Sequence, residues 1–165
     1  MDAQHHYLSL IVCLAVCYAA AWIGSAVTRP AIKNWYEHLA KPSWRPPNWA
    51  FAPAWTIIFT LMAFSAWLIW LQHETLFIWP ALCFFGIQLA LNIAWSAIFF
   101  GLRRLGLAAI EIACLWAAIL GTLIQFWRIA PLAGWLLIPY LAWVSFAMVL
   151  NLAIWRMNSR KVTDV

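Results

Sequence analysis

Fourteen tryptophans stand among 165 residues, and six of them, Trp22, Trp55, Trp67, Trp95, Trp116 and Trp143, fall deep within long apolar stretches. An indole at such a position gains little over leucine and carries an N–H that wants a partner. Two readings are open for each: it lines a pocket for a flat aromatic ligand, or it packs against neighbours and lipid. Trp49, Trp70, Trp79, Trp127, Trp135 and Trp155 lie near the ends of the stretches, where an amphipathic ring is favoured at headgroup depth.

Few polar side chains interrupt these stretches. Gln88 and Asn92 are four residues apart and share one helix face, with Trp95 close to the same stripe and Ser96 one turn beyond Asn92. Buried amides of this kind serve either as interhelical glue, each worth under about 1 kcal/mol, or as ligand contacts. Asn151 sits in the last stretch. Glu111 is the one acid inside a stretch, about two turns from Arg103 and Arg104, within reach of the interface or of an Arg. Cys13, Cys17, Cys83 and Cys114 all lie in apolar runs and read as buried free thiols. His5, His6, His38 and His73 fall outside the runs, so a haem held by two histidines between helices has no ligands. No metal cluster, phosphate-binding loop or nucleophile with its base is visible, and nothing suggests nucleic acid.

The elements that position these residues are read from hydropathy. Five stretches, 8–27, 49–71, 77–100, 105–126 and 132–155, each reach the roughly 20 residues that cross a hydrocarbon core about 30 Å thick. Hydrophobic residues make up 67% of the chain and charged ones 9%, with a mean hydropathy of +0.85, far beyond what a water-soluble domain of this size hides. Membrane barrels use short alternating segments, whereas these runs are continuous and rich in Ala and Leu. The expected fold is an all-α integral membrane protein, one domain of five transmembrane helices. The first stretch reads as an uncleaved span, because the preceding MDAQHHY lacks the positive charge of a signal peptide.

Basic residues collect on the cytoplasmic side of membrane proteins. One face of the expected bundle receives Arg29, Lys33, Lys41, Arg45, Arg103, Arg104, Arg156, Arg160 and Lys161, and the other receives Arg128 alone. This distribution predicts an N-terminus outside and a C-terminus in the cytosol. It also accounts for the net charge of +5 through attraction to anionic headgroups.

The connection 28–48 is unlike a solvated linker. Pro42, Pro46 and Pro47 stiffen it, and Trp35, Tyr36 and Trp44 supply contact area. It is predicted to form a structured lid over the mouth of the bundle.

The strings Trp35-Tyr36, Lys41-Pro42-Ser43-Trp44-Arg45-Pro46-Pro47, Pro53-Ala54-Trp55, Gln88-Leu89-Ala90-Leu91-Asn92, Phe99-Phe100-Gly101, Pro139-Tyr140-Leu141-Ala142-Trp143, Leu150-Asn151 and Trp155-Arg156 resemble the translocator protein family. This is the TspO/MBR group, also called tryptophan-rich sensory proteins. The resemblance implies a five-helix bundle that binds tetrapyrroles such as protoporphyrin IX and haem as ligands, requires no cofactor, and in some members takes sterols and isoquinoline-type drugs. It places the pocket beneath the first loop, between helices 1, 2, 4 and 5. The family's pocket tryptophans match Trp55 and Trp143, its loop tyrosine Tyr36, its helix 3 polar and aromatic positions Asn92 and Trp95, and its small helix 5 residue Ala147. Trp35 and Trp44 join them from the lid. Leu152 stands where a sterol-recognition pattern needs Tyr, so weak or no cholesterol binding is expected. Glu111 replaces the family's usual Asp. The short N-terminal segment fits a bacterial inner-membrane member better than a plant one, and a mitochondrial outer membrane is the less expected alternative, since proteins of this family need no cleaved presequence.

Three functions fit: tetrapyrrole binding and sensing, light-dependent porphyrin degradation with Trp55 and Trp143 as candidate redox-active residues, and transport of tetrapyrrole or lipid. Helix 3 carries Ala90 with Ala94 and Ala97 with Gly101, pairs four apart that let helices approach closely, and a homodimer through this helix is expected.

Overall fold

The computed structural model describes residues 3–73 and 77–159. Five long helices account for most of them: α1 (Ala3–Asn34), α2 (Asn48–Trp70), α3 (Ile78–Ser96), α4 (Leu105–Ile129) and α5 (Pro131–Ser159). Each contains a window apolar and long enough to cross a membrane. Arg160 and Lys161 of the basic tail lie outside the described residues.

Helices outrun the apolar stretches because hydropathy marks where lipid ends, whereas a helix stops only where its backbone must. Thus α1 continues seven residues past Val27, through Pro30, since Arg29, Lys33 and Asn34 are tolerated in helix once outside the hydrocarbon. The expected lid shrinks accordingly to residues 35–47.

The helices form a closed ring in the order α1, α2, α5, α4, α3, with α3 returning to α1. α1 is the most lipid-exposed, with 11% of its spanning window buried against 39% for α2 and α4, so it meets the bundle along one narrow stripe. That stripe is Cys17, Ala20, Gly24 and Ala31, small residues that allow close backbone approach. A Cβ on Gly24 would lie 3.3 Å from Ser96 Oγ of α3.

Two junctions are tight. α3 ends in a π-helical segment, Ala97–Gly101, followed by Arg103 in the left-handed region at φ 58°. Between α4 and α5 there is only Ala130. The corner closes because Gly134 has no side chain: a Cβ there would sit 2.7 Å from the Trp127 ring.

One thiol behaves as expected, since Cys17 is buried. Cys13 is half-buried, whereas Cys83 and Cys114 are exposed on α3 and α4. A thiol facing lipid loses little, so apolar surroundings in the sequence did not imply a place in the core. Trp22, 72% exposed, likewise faces outward.

Candidate ligand site

The lid is pinned from three sides. Its single 3-10 turn, Tyr36–His38, buries Tyr36 against Phe99 and Phe100, with ring centroids 6.3 and 5.8 Å away. Lys41 Nζ donates to the carbonyl oxygens of Tyr36 (2.6 Å) and Glu37 (2.9 Å) and lies 4.9 Å from the Tyr36 ring centroid. Asn158, near the end of α5, clasps the lid backbone: its Oδ1 accepts from Ala40 N at 3.1 Å and its Nδ2 donates to Ala40 O at 2.9 Å. Burial pushes the Tyr36 phenol above its ordinary pKa. Side chains from α5 and from the π-helical segment thus hold the lid backbone and its Tyr36 ring in place.

Beneath the 3-10 turn lies a first aromatic cluster. Trp35 meets Phe99 edge-on at 5.9 Å, Trp95 lies 5.2 Å from Phe99, and the Arg103 guanidinium stands 5.8 Å over Trp35. Its central indole is satisfied: Trp95 Nε1 donates to Asn151 Oδ1 at 3.2 Å, and Asn151 Nδ2 donates to Leu105 O at 3.0 Å. Trp67 and Trp116 are satisfied too, through His6 O (3.2 Å) and Ser145 Oγ (2.8 Å).

A second cluster spans α2 and α5. Trp55 and Trp143 meet edge-to-face at 6.4 Å, within the range of favourable aromatic pairs. Phe51 packs on Trp143 at 6.0 Å, Tyr140 on Trp55 at 6.3 Å, and Phe146 on Trp143 at 6.0 Å. Trp44 of the lid reaches Phe146 edge-on at 5.8 Å and remains 49% exposed. Unlike Trp67, Trp95 and Trp116, the indoles of Trp55 and Trp143 have no hydrogen-bond partner among the described residues. Ala147, one turn beyond Trp143, is half-buried against the main core and keeps this part of α5 slim.

Asn92 ties the α3 face to this second cluster: its Nδ2 donates to the Tyr140 hydroxyl at 3.0 Å, and Tyr140 is 1% exposed. Gln88 and Glu111 are also buried, yet neither the Gln88 amide nor the Glu111 carboxyl oxygens have a hydrogen-bond partner among the described residues. Glu111 thus does not reach the interface or Arg103, contrary to its proximity in sequence. Unpartnered polar groups at membrane depth are costly and mark a functional interior.

The sequence-predicted residues therefore separate. Trp35, Tyr36 and Trp95 belong to the first cluster, Trp44, Trp55 and Trp143 to the second, and Asn92 joins the second through Tyr140. Sequence reasoning gave no role to Tyr140, Phe51, Phe146 or Asn158. Helical spacing contained the signal for three of them: Tyr140 and Phe146 are each three residues from Trp143, and Phe51 is four from Trp55.

A closed ring of five membrane-length helices, a pinned aromatic lid and a tryptophan pair define a membrane protein built around an aromatic site. The TspO/MBR family model matches residues 13–156, and the chain belongs to this family. It is 39% identical to "Tryptophan-rich protein TspO" of Chlorobaculum tepidum over 155 residues, covering 92% of this chain and 96% of that one. Identity to "Protein CrtK" of Rhodobacter capsulatus is 38%, covering 92% and 94%. The human "Translocator protein" is 37% identical over 83% of this chain and 82% of its own.

Proposed function

We propose that this protein binds tetrapyrroles, protoporphyrin IX and haem, against the Trp55–Trp143 pair beneath the lid, and that occupancy is sensed through the lid. The observation that carries the reading is that, of the deep tryptophans facing the bundle, Trp67, Trp95 and Trp116 are hydrogen-bonded whereas Trp55 and Trp143 have no partner among the described residues. A flat conjugated macrocycle offers both a face for the rings and polar atoms for their N–H groups. The family resemblance supports the same ligand class. Titration of the purified protein with protoporphyrin IX, followed by tryptophan quenching in the dark, tests it: saturable quenching is expected, and its absence refutes the reading.

Photochemical degradation of the bound pigment is a second reading, favoured by the contact of Trp55 with both Trp143 and Tyr140, three oxidisable rings in sequence. Illumination separates the two. A binder returns the pigment intact, and a degrading protein bleaches it, more slowly in a Trp55→Phe, Trp143→Phe double variant.

The proposed setting is a bacterial inner membrane, with the lid on the cytosolic side by the distribution of basic residues. Self-association through α3 is proposed as well: Ala90 and Gly101 are exposed, Ala94 and Ala97 half-buried, and a Cβ on Gly86 would meet nothing within 4 Å. Crosslinking in native membranes is expected to yield a dimer that a Gly86→Leu, Ala90→Leu variant loses.

A further inference from the structure

Two concavities lie toward the lid end of α2. The first is an apolar groove of about 370 Å³ lined by Ala54, Ile57 and Ile58 of α2 and by Ala142, Trp143 and Phe146 of α5. Ile57 is 59% exposed, so the groove opens outward at hydrocarbon depth. The second, of about 470 Å³, is of mixed character and lined by Ser43, Arg45, Pro47, Asn48 and Trp49. Trp44 links them, because it precedes Arg45 in the chain and packs edge-on against Phe146 of the groove. Asn48 and Ala54 are six residues apart, about 9 Å along the helix, the offset between a lipid headgroup and its upper acyl chain.

The chemistry at each end is matched to an amphiphile with a negative head. Arg45 donates through Nη1 to Asn48 Oδ1 at 3.1 Å, which fixes the guanidinium at the start of α2 against a neutral partner and leaves its charge and other donors for a ligand. Ser43 adds a hydroxyl, and Trp49, 75% exposed, places an indole at headgroup level. Lys33 at the end of α1 and Arg103 and Arg104 before α4 lie on the same side of the bundle, so the surrounding field favours an anion. We infer that this chain carries a specific site for an anionic phospholipid, with the phosphate on Arg45 and Ser43 and an acyl chain in the α2–α5 groove. The site is distinct from the tetrapyrrole site proposed at the Trp55–Trp143 pair, although Trp143 takes part in both.

Native mass spectrometry of the full-length protein, with phosphatidylglycerol and phosphatidylcholine of identical chains, tests the inference. The wild type is expected to retain phosphatidylglycerol about fivefold or more over phosphatidylcholine. Arg45→Gln is expected to abolish that preference, and Arg45→Lys to keep part of it, since the charge stays while the fork is lost. Arg29→Gln, on the same side but outside both concavities, leaves it intact. Ala142→Phe fills the groove and lowers retention of both lipids; Ala54→Leu replaces it if the melting temperature falls. Equal retention by the wild type, or equal losses in Arg45→Gln and Arg29→Gln, overturns the site in favour of diffuse charge. Displacement of phosphatidylglycerol by protoporphyrin IX from wild type but not from Arg45→Gln would overturn the lipid assignment and give the site to the tetrapyrrole carboxylates.

Discussion

The two aromatic clusters of this bundle have similar composition and opposite character. Under the 3-10 turn, Trp95 is held by Asn151, Asn151 by the first carbonyl of α4, and Trp35 and Tyr36 are covered by Arg103 and Lys41. Between α2 and α5, Trp55 and Trp143 pack on each other and on the hydrophobic core with no hydrogen-bond partner among the described residues, and Trp143 borders an outward groove. The Trp95 N–H is spoken for within the scaffold, whereas those of Trp55 and Trp143 have no partner among the described residues. Richness in aromatic residues alone does not distinguish them.

Substitutions should break the two clusters in different ways. Trp95→Ala is expected to have the largest effect, costing about 3 kcal/mol of stability through the cavity and the unpaired Asn151, seen as a large fall in melting temperature in detergent. The Trp55→Phe, Trp143→Phe variant is expected to weaken protoporphyrin IX binding about tenfold, or about 1.4 kcal/mol, with the melting temperature nearly unchanged. Asn158→Ala removes the clasp on Ala40, and about 1 kcal/mol of local stability should be lost from the lid alone, read as faster hydrogen exchange over residues 36–41.

Smaller effects sharpen the contrast. The Tyr36 phenol is raised by burial, so its neutral form favours the closed lid. That contribution is fully present below the ordinary tyrosine pKa and is lost as pH rises through the raised value. Lid protection should therefore fall at alkaline pH in the wild type and lose that dependence in Tyr36→Phe. Glu111→Gln should change stability by only about 0.5 kcal/mol, because the carboxyl oxygens have no partner to lose, and thermal unfolding would show it.

Much of the fold was legible in the sequence because a bilayer imposes a length and a composition on every span, and 78–101 or 105–129 satisfy both without competition. Helix ends were less legible: α1 runs on through Pro30 to Asn34 because nothing outside the hydrocarbon obliges a helix to stop. The π-helical turn at Ala97–Gly101 left no compositional mark. Within the site, Trp55, Trp143 and Asn92 could be placed inside by depth and face, whereas the division between clusters depends on partners more than 25 residues away, such as Asn151 for Trp95 and Ser145 for Trp116. Glu111 shows the same limit: two turns from an arginine along the chain, it points into the bundle and not toward it.

On the proposed reading the free indole pair, not the hydrogen-bonded Trp95, receives the tetrapyrrole. Protoporphyrin IX titrations in the dark, comparing Trp55→Phe, Trp143→Phe with Trp95→Phe, test it most directly. Saturable quenching is expected in the wild type and in Trp95→Phe with affinities within about threefold, and a loss of about tenfold in the double variant. Equal affinity in the double variant, or a greater loss in Trp95→Phe, would contradict it.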